Sequence, residues 1–463
     1  MTTQQQGQSL EQFGYPQELR RSLSFTDLLF YGLIFMVPIA PFGIFGSVYQ
    51  ASGGMVVLAY AIGVVALMFT AYSYSQMSKV FPMAGSVYAY AGRGIAPPVG
   101  FIAGWMILLD YILVPSLLYL IASAFMALVV PSVPVWLWLI GFVAFNTVVN
   151  FLGIKLTALV TKVMLVGELI VLAIFLVVGI VGLAQGKGHG SAMDALYNSQ
   201  TFSWQLAFGG VSVAALSFLG FDGVAMLSEE NKGQARQIGR SMFAALLLAG
   251  LLFIVQTWVA TMYVEDPAAL LATGDNNGPA FYEVATAAGG HWLAVLTAVT
   301  TAIAWGFADS LVAQVATSRL IYAMARDRQL PKILSRISPR RGVPVYAVVL
   351  VGAVALILGI GMNLRADGIP LLASWINFGA LLSFMILHVA VVWHFLVRLR
   401  SRDYLRHLVL PGLGFLILGY VIYNQKVTHQ IVGYVWLGLG LLIVAGLYLS
   451  GRRPRLSGME DKG

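Results

Sequence analysis

The chain contains no cysteine, so disulfide bonds and thiolate metal sites are excluded. Charged residues are also scarce: they make up 10% of the sequence, whereas soluble domains carry about 25%. Apolar residues make up 59%, and the mean hydropathy is +0.84. This composition predicts a protein that crosses a membrane several times, with the lipid bilayer as its main partner.

Groups that could support catalysis are equally scarce. There are six histidines, and His388 and His394 stand six positions apart, a poor spacing for two metal ligands. The glycine-containing stretch GGVSVAALSFLG lacks the GK[ST] of a phosphate-binding loop. We therefore expect no enzyme, no metal site and no cofactor.

Twelve apolar segments are long enough to cross a bilayer as helices, which takes about 20 residues each. They are too long and too uniformly apolar for the strands of a membrane barrel. The sequence therefore predicts an all-α polytopic membrane protein with twelve transmembrane helices. The predicted spans are 25–50, 54–78, 97–125, 133–153, 157–184, 205–228, 241–263, 291–325, 344–362, 370–397, 406–423 and 430–450.

Basic residues are distributed unevenly among the predicted loops. If the N-terminus is cytoplasmic, only three of the 27 Lys and Arg residues fall outside, namely Lys187, Arg365 and Lys426. This is the positive-inside pattern, so the net charge of +8 indicates topology rather than a nucleic-acid partner. Residues 1–24 lack the apolar core of a signal peptide. We expect them, like residues 451–463, to form a cytoplasmic tail.

The first and sixth predicted helices contain residues that interrupt a helix. The first includes Pro38 and Pro41 in VPIAPFGIFG, and each proline removes a backbone donor. The sixth includes Gly220 and Gly223 in SFLGFDG, and glycine loosens a helix. Interruptions at matching places in two five-helix halves indicate an inverted repeat with the binding site at the breaks.

Several motifs resemble those of amino acid–polyamine–organocation permeases. They are FPMAGSVYAYAGRGI at 81–95, SFLGFDGVAMLSEE at 217–230, SRLIYAMARDRQLP at 318–331 and INFGAL at 376–381. With VGFIAGWMILLDYILVP at 99–115, the chain is most similar to the bacterial putrescine importer branch of that superfamily.

The resemblance implies a leucine-transporter-like fold with alternating access to a site near the membrane midplane. Residues 25–184 and 205–397 would form two inverted five-helix repeats, with two further helices at 406–450. Helix 1 would unwind near Ile39, Ala40 and Pro41, and helix 6 would break near Phe218 to Asp222. It also implies a location in the bacterial inner membrane, as a monomer or homodimer.

The resemblance places the substrate at the two helix breaks and beside helix 3. Asp309 of helix 8 has no counterpart in the putrescine importers and is a candidate for a second acceptor of a cation. Asp110 and Tyr111 match an Asp-Tyr pair in helix 3 of the putrescine importers, where the tyrosine lies on the substrate path. The residues that we expect to bind substrate are Ile39, Ala40, Pro41, Asp110, Tyr111, Phe218, Asp222 and Asp309.

Carboxylates inside a membrane are costly, which favours a functional interpretation of Asp110, Asp222 and Asp309. Structural alternatives stay open. Asp222 can instead bond exposed backbone N–H groups, and Asp110 can pair with a neighbouring helix.

Three glutamates are candidates for ion coupling or for a cation vestibule. The resemblance aligns Glu168 with a helix 5 lysine that takes the place of sodium in proton-coupled relatives, so Glu168 is a candidate proton carrier. Glu229 and Glu230 match the pair that ends helix 6, where they would concentrate cations or simply face the cytoplasm. Sodium stays open as the coupling ion, because backbone carbonyls and hydroxyls can supply its ligands.

These features predict a secondary active transporter that imports a small organic amine, a polyamine such as putrescine or a monoamine, together with protons. The alternative is an amino acid transporter or exchanger of the same fold, which would hold the substrate carboxylate at the helix 1 break. The stretch PFGIFG lacks the Asp that putrescine importers have in helix 1, which favours the alternative. The buried acids favour the amine.

Overall fold

The computed structural model describes residues 21, 23–83, 86–152, 154–275, 279–327, 329–338, 343–425 and 427–450. These residues are almost entirely helical, and the β contact seen among them is a single bridge between Leu23 and Asn231. The predicted all-α fold is thus confirmed. Most of the two predicted tails, 1–20 and 451–463, lies outside the described residues.

The α-helices of the described ranges follow one another along the chain, with longer connections at 185–203 and 327–344. They are α1 (Phe25–Met36), α2 (Ala40–Ala51), α3 (Val56–Val80), α4 (Ser86–Gly94), α5 (Pro97–Val129), α6 (Val135–Leu152), α7 (Ile154–Ala184), α8 (Trp204–Ala214), α9 (Gly223–Met226), α10 (Arg236–Thr261), α11 (Pro267–Thr273), α12 (Ala280–Gly289), α13 (His291–Ile303), α14 (Ser310–Arg326), α15 (Val345–Asn363), α16 (Gly368–Val392), α17 (Leu410–Tyr423) and α18 (Val427–Leu449).

Eleven stretches of the described chain are long and apolar enough to cross a bilayer, and α1 with α2 forms a twelfth as a bent pair. The twelve predicted spans are therefore confirmed, most of them to within a few residues at each end. We number them as helix 1 (α1 and α2), helix 2 (α3), helix 3 (α5), helix 4 (α6), helix 5 (α7), helix 6 (α8 to α9), helix 7 (α10), helix 8 (α13 and α14), and helices 9 to 12 (α15 to α18).

Helix 1 is broken between α1 and α2, whose axes differ by 49°. Pro38 has no N–H to continue α1, and Val37 takes φ 50°, a strained conformation for a β-branched residue. Unwinding was expected near Ile39, Ala40 and Pro41, but it begins two residues earlier, and Ala40 and Pro41 start α2. Proline is tolerated there because the first turn of a helix needs no N–H donor.

Helix 6 is broken where the sequence predicted it. After α8 the chain forms a 3₁₀ turn at Ala215–Phe218, and it unwinds over residues 219–222 before α9. Gly220 lies in this break with φ 104°, and a Cβ there would lie 2.7 Å from the ring of Phe35 in helix 1. The two breaks therefore pack against each other, and only glycine fits at this position.

Two buried amide side chains satisfy carbonyl groups at the breaks. Gln256 of helix 7 donates its Nε2 hydrogen to the Pro38 carbonyl at 2.9 Å. Asn377 of helix 10 donates its Nδ2 hydrogen to the Ser212 carbonyl at 2.7 Å, in the last turn of α8. Unpaired backbone groups are costly in a membrane, so these amides allow the helices to unwind.

Helix ends are also joined on the side of the molecule where most of the Lys and Arg residues are expected, which we call the basic side. The Leu23 N–H donates to the Glu230 carbonyl at 2.9 Å, and the Lys232 N–H donates to the Leu23 carbonyl at 2.9 Å. This backbone bridge connects Leu23, which precedes α1, with the segment around the 3₁₀ turn Ser228–Glu230 that follows α9. The outer surface of the bundle is formed largely by helices such as α18, most of which is not buried against the rest of the protein.

We predict that Gly220→Ala destabilises the protein by about 1–3 kcal/mol, because alanine resists the positive φ and its methyl group would overlap Phe35. The measurement is the thermal unfolding midpoint of the detergent-purified protein. Gly141→Ala is the matched control, since a Cβ at that helix 4 position meets no atom within 4 Å. Equal midpoints for the two variants would contradict the prediction.

Candidate functional site

A small cavity of about 40 Å³ lies between the breaks of helices 1 and 6 and the middle of helices 3 and 8. Helix 1 lines it with Val37 and Ala40, and helix 6 lines it with Leu219 and Gly220. This volume holds only a few water molecules. A ligand with several heavy atoms would therefore need the surrounding side chains to move apart.

Two carboxylates line this cavity. Asp110 of helix 3 is 3% exposed and Asp309 of helix 8 is 6% exposed. Neither carboxylate has a hydrogen-bond or ion-pair partner among the described residues, and no Lys or Arg is among the described residues that line the cavity. Because an unpaired buried charge is costly, both carboxylates favour a proton or a cationic ligand.

Asp222 is close to the cavity but does not line it. Its Oδ2 accepts hydrogen bonds from the hydroxyls of Tyr111 at 3.1 Å and Tyr74 at 3.4 Å. Tyr111 lines the cavity, so Asp222 lies one side chain behind it. The Tyr111 ring also contacts Phe35 edge-on, with 6.4 Å between ring centroids. Asp222 can therefore orient Tyr111 rather than touch a ligand directly.

Glu168 lies on helix 5, which packs against the part of helix 8 that ends at Asp309, but it does not line the cavity. It is 4% exposed, its Oε2 has no partner among the described residues, and its charge interacts with that of Asp309. Helix 8 forms a π-helical turn at Ala304–Asp309, and Asn146 donates to the Gly306 carbonyl in it at 2.8 Å. Such turns are frequent at functional sites, and this one ends at Asp309.

The other predicted site residues lie elsewhere. Ile39 lies in the helix 1 break and Pro41 lies in the first turn of α2, but neither lines the cavity, and Phe218 packs among the rings of helices 2 and 7. Glu230 lies 3.9 Å from Arg319 on the basic side of the molecule. The side chain of Glu229 lies outside the described residues.

Four residues of the site carried no role in the sequence analysis. Trp305 lines the cavity, Tyr74 bonds Asp222, and Gln256 and Asn377 bond carbonyls at the breaks. The signal that could have found the two amides is their polarity within otherwise apolar spans, where polar side chains usually bond neighbouring helices. Within the described ranges, no three His, Asp or Glu side chains come together as a metal site.

Comparison with known proteins agrees with this architecture. The family described as amino acid permease matches residues 24–447. The low-affinity putrescine importer PlaP of Escherichia coli (strain K12) is 32% identical over 443 residues, covering 94% of this chain and 96% of the relative. The branched-chain amino acid permease BcaP of Bacillus subtilis (strain 168) is 27% identical over 459 residues, covering 92% and 93%.

These similarities confirm the resemblance that the motifs indicated. The family and the relatives named above are transporters, which confirms the expectation that the chain is not an enzyme. Together with the twelve spans, they indicate a multi-pass protein of the inner membrane that transports an amine or an amino acid.

We predict that Gln256→Leu destabilises the protein by about 1–3 kcal/mol, because it leaves the buried Pro38 carbonyl without its amide donor. Thermal unfolding of the purified protein measures the change. Val255→Leu is the control, since the neighbouring Val255 is exposed on the outside of helix 7. Unfolding of Gln256→Leu at the wild-type temperature would show that the break does not depend on this bond.

Proposed function

From the premise that this chain belongs to the amino acid permease family, we propose that it is a secondary active transporter that imports a small organic amine together with protons. The amine is a polyamine such as putrescine, or a monoamine. The observation that carries the proposal is the pair of unpartnered carboxylates, Asp110 and Asp309, in a cavity between the two helix breaks.

The cavity suits an alkylammonium ion chemically. Asp110 and Asp309 stand on different helices, so a diamine can offer one ammonium group to each carboxylate. The apolar side chains between them suit a methylene chain, and the face of Tyr111 offers cation–π attraction. In a water-poor site these charge-assisted contacts are stronger than they are in solution.

Proton coupling in this proposal uses Glu168 and Asp309. Two neighbouring carboxyl groups away from water favour the state in which one of them keeps a proton. An ammonium group that binds Asp309 would leave that proton on Glu168, so that amine and proton are bound together. Release of both on the inner side would then carry the proton inward with the amine.

Alternating access would follow from movement of the broken helices, with residues 25–184 and 205–397 acting as two inverted repeats. The N-terminus would be cytoplasmic, as the distribution of Lys and Arg favours. Inward movement of a cation would then be favoured by about 2.3 kcal/mol per charge for each 100 mV. Under this orientation, the loops that precede α8, α12 and α16 face the outside.

Amino acid transport is the second candidate, and two observations support it. Helix 1 has no carboxylate near its break, and one relative is a branched-chain amino acid permease. The N-terminal end of α2, where Ala40 lines the cavity, would receive the substrate carboxylate, since a helix start carries positive partial charge.

We predict that Asp110→Asn and Asp309→Asn each lower putrescine uptake into proteoliposomes at least about tenfold, because each removes a buried charge partner of an ammonium group. Asp367→Asn is the control, since that carboxylate pairs with Arg365 at the surface. Asp222→Asn should have a smaller effect, because Asp222 acts through Tyr111. Two results together would favour amino acid transport: the wild type takes up no putrescine, and neutral amino acids compete with the uptake of another labelled substrate.

We further predict that Glu168→Gln removes the stimulation of uptake by an inward proton gradient but leaves exchange of internal for external amine. The reason is that exchange returns the carrier with amine bound and needs no proton release. Gradient-driven uptake and amine exchange are measured in the same proteoliposomes. Full gradient stimulation in Glu168→Gln would exclude Glu168 as the proton carrier.

A further inference from the structure

A second and larger cavity, of about 640 Å³, lies on the opposite side of the molecule from the Leu23–Asn231 bridge. It is bounded by the second half of helix 1, the start of helices 6 and 10, the connection from α11 to α12, and the end of helix 11. Under the proposed orientation this is the outer side. We call it the outer cavity.

Asp275, in the connection from α11 to α12, is the one charged residue among the described residues that line the outer cavity. It is 4% exposed, and its Oδ1 accepts the Ala280 N–H at 3.1 Å. The carboxylate rests on Gly46 of α2, where any Cβ would overlap it. The absence of a side chain at Gly46 thus lets a carboxylate from a loop reach the wall of helix 1.

Unsatisfied amide groups surround the same space. Gln425 is 6% exposed, and neither its Nε2 nor its Oε1 has a partner among the described residues. Asn377 is 1% exposed, and its Oδ1 also lacks a partner there, since its Nδ2 bonds the Ser212 carbonyl. Buried polar groups are normally satisfied, so these oxygens indicate that the cavity accommodates a hydrogen-bond donor.

We propose that the outer cavity is a second binding site for the transported amine, in which Asp275 holds an ammonium group and the free amide oxygens of Gln425 and Asn377 accept its hydrogens. This inference rests on the proposed function, because it takes the substrate to be an amine. An amine held here would wait on the outer side, close to helices 1, 6 and 10, before it enters the central cavity.

The charge of Asp275 at neutral pH supports this role. Burial raises the pKa of Asp275 to about 6, and the exposed Glu283 of α12 adds to the increase, whereas the N–H groups of Ala280 and Gly46 oppose it. Asp275 is therefore mostly ionised at pH 7 and loses its charge as the pH falls through 6. Amine binding that depends on this carboxylate should weaken over the same pH interval.

A purely structural role for Asp275 is distinguishable from this one. Its bond to the Ala280 N–H helps to begin α12, and asparagine preserves such a bond while removing the charge. Asp266→Asn is the matched control. Asp266 is exposed in the preceding part of the same loop, and its Oδ1 accepts the Ala269 N–H at 2.9 Å at the start of α11.

The experiment is equilibrium binding of labelled putrescine to the purified full-length chain at pH 7 and pH 5. We expect the wild type to show two classes of putrescine-binding site and Asp275→Asn to show one, because the affinity of the outer site falls about tenfold or more. Asp110→Asn should retain the outer site, and Asp266→Asn should retain both. At pH 5 the wild type should resemble Asp275→Asn.

Equal binding by the wild type and Asp275→Asn would overturn the outer site while leaving the proposed function intact. Absence of putrescine binding by the wild type would overturn both. Gln425→Leu serves as a second variant, because replacing an unpartnered amide should not impair folding. If Asp275→Asn unfolds at a lower temperature than Asp266→Asn, the binding of putrescine to Gln425→Leu is the deciding measurement. Wild-type affinity of Gln425→Leu at both sites would overturn the proposal.

Discussion

Backbone groups that leave a helix inside a membrane must find partners within the protein, and the centre of this structure depends on that constraint. Helix 1 can unwind because Gln256 bonds the Pro38 carbonyl, and helix 6 is supported by the bond of Asn377 to Ser212. Both amides come from helices that are not themselves broken. Intact helices 7 and 10 therefore stabilise the unwound ones, and the small cavity exists where the two breaks meet.

The buried acids near this cavity are not equivalent, and their surroundings explain why. The two tyrosine hydroxyls on Asp222 stabilise its charge without any ligand. Asp110 and Asp309 have no such donors among the described residues, and Glu168 is close enough to Asp309 for their charges to interact. Asp222 thus orients the side chains around the cavity, while Asp110, Asp309 and Glu168 remain able to exchange a proton or bind a cation.

The spans were predictable because burial in lipid requires long apolar runs, and the helix 6 break was predictable because glycine marks it. The helix 1 break was predicted around residues 39–41 and lies at 37–39, because Pro41 suits the start of a helix as well as an interruption. The position of Asp222 behind Tyr111 could not be predicted. It depends on the rotation of helices 3 and 6 and on Tyr74, which is 148 residues away in the chain.

The backbone bridge at Leu23 has a mechanical consequence. Its two hydrogen bonds join the start of α1 to the end of α9, and the Phe35–Gly220 contact joins the same two half-helices near the cavity. The two half-helices are therefore in contact at both of their ends. They form one packed unit on this side of the molecule rather than two separate ones.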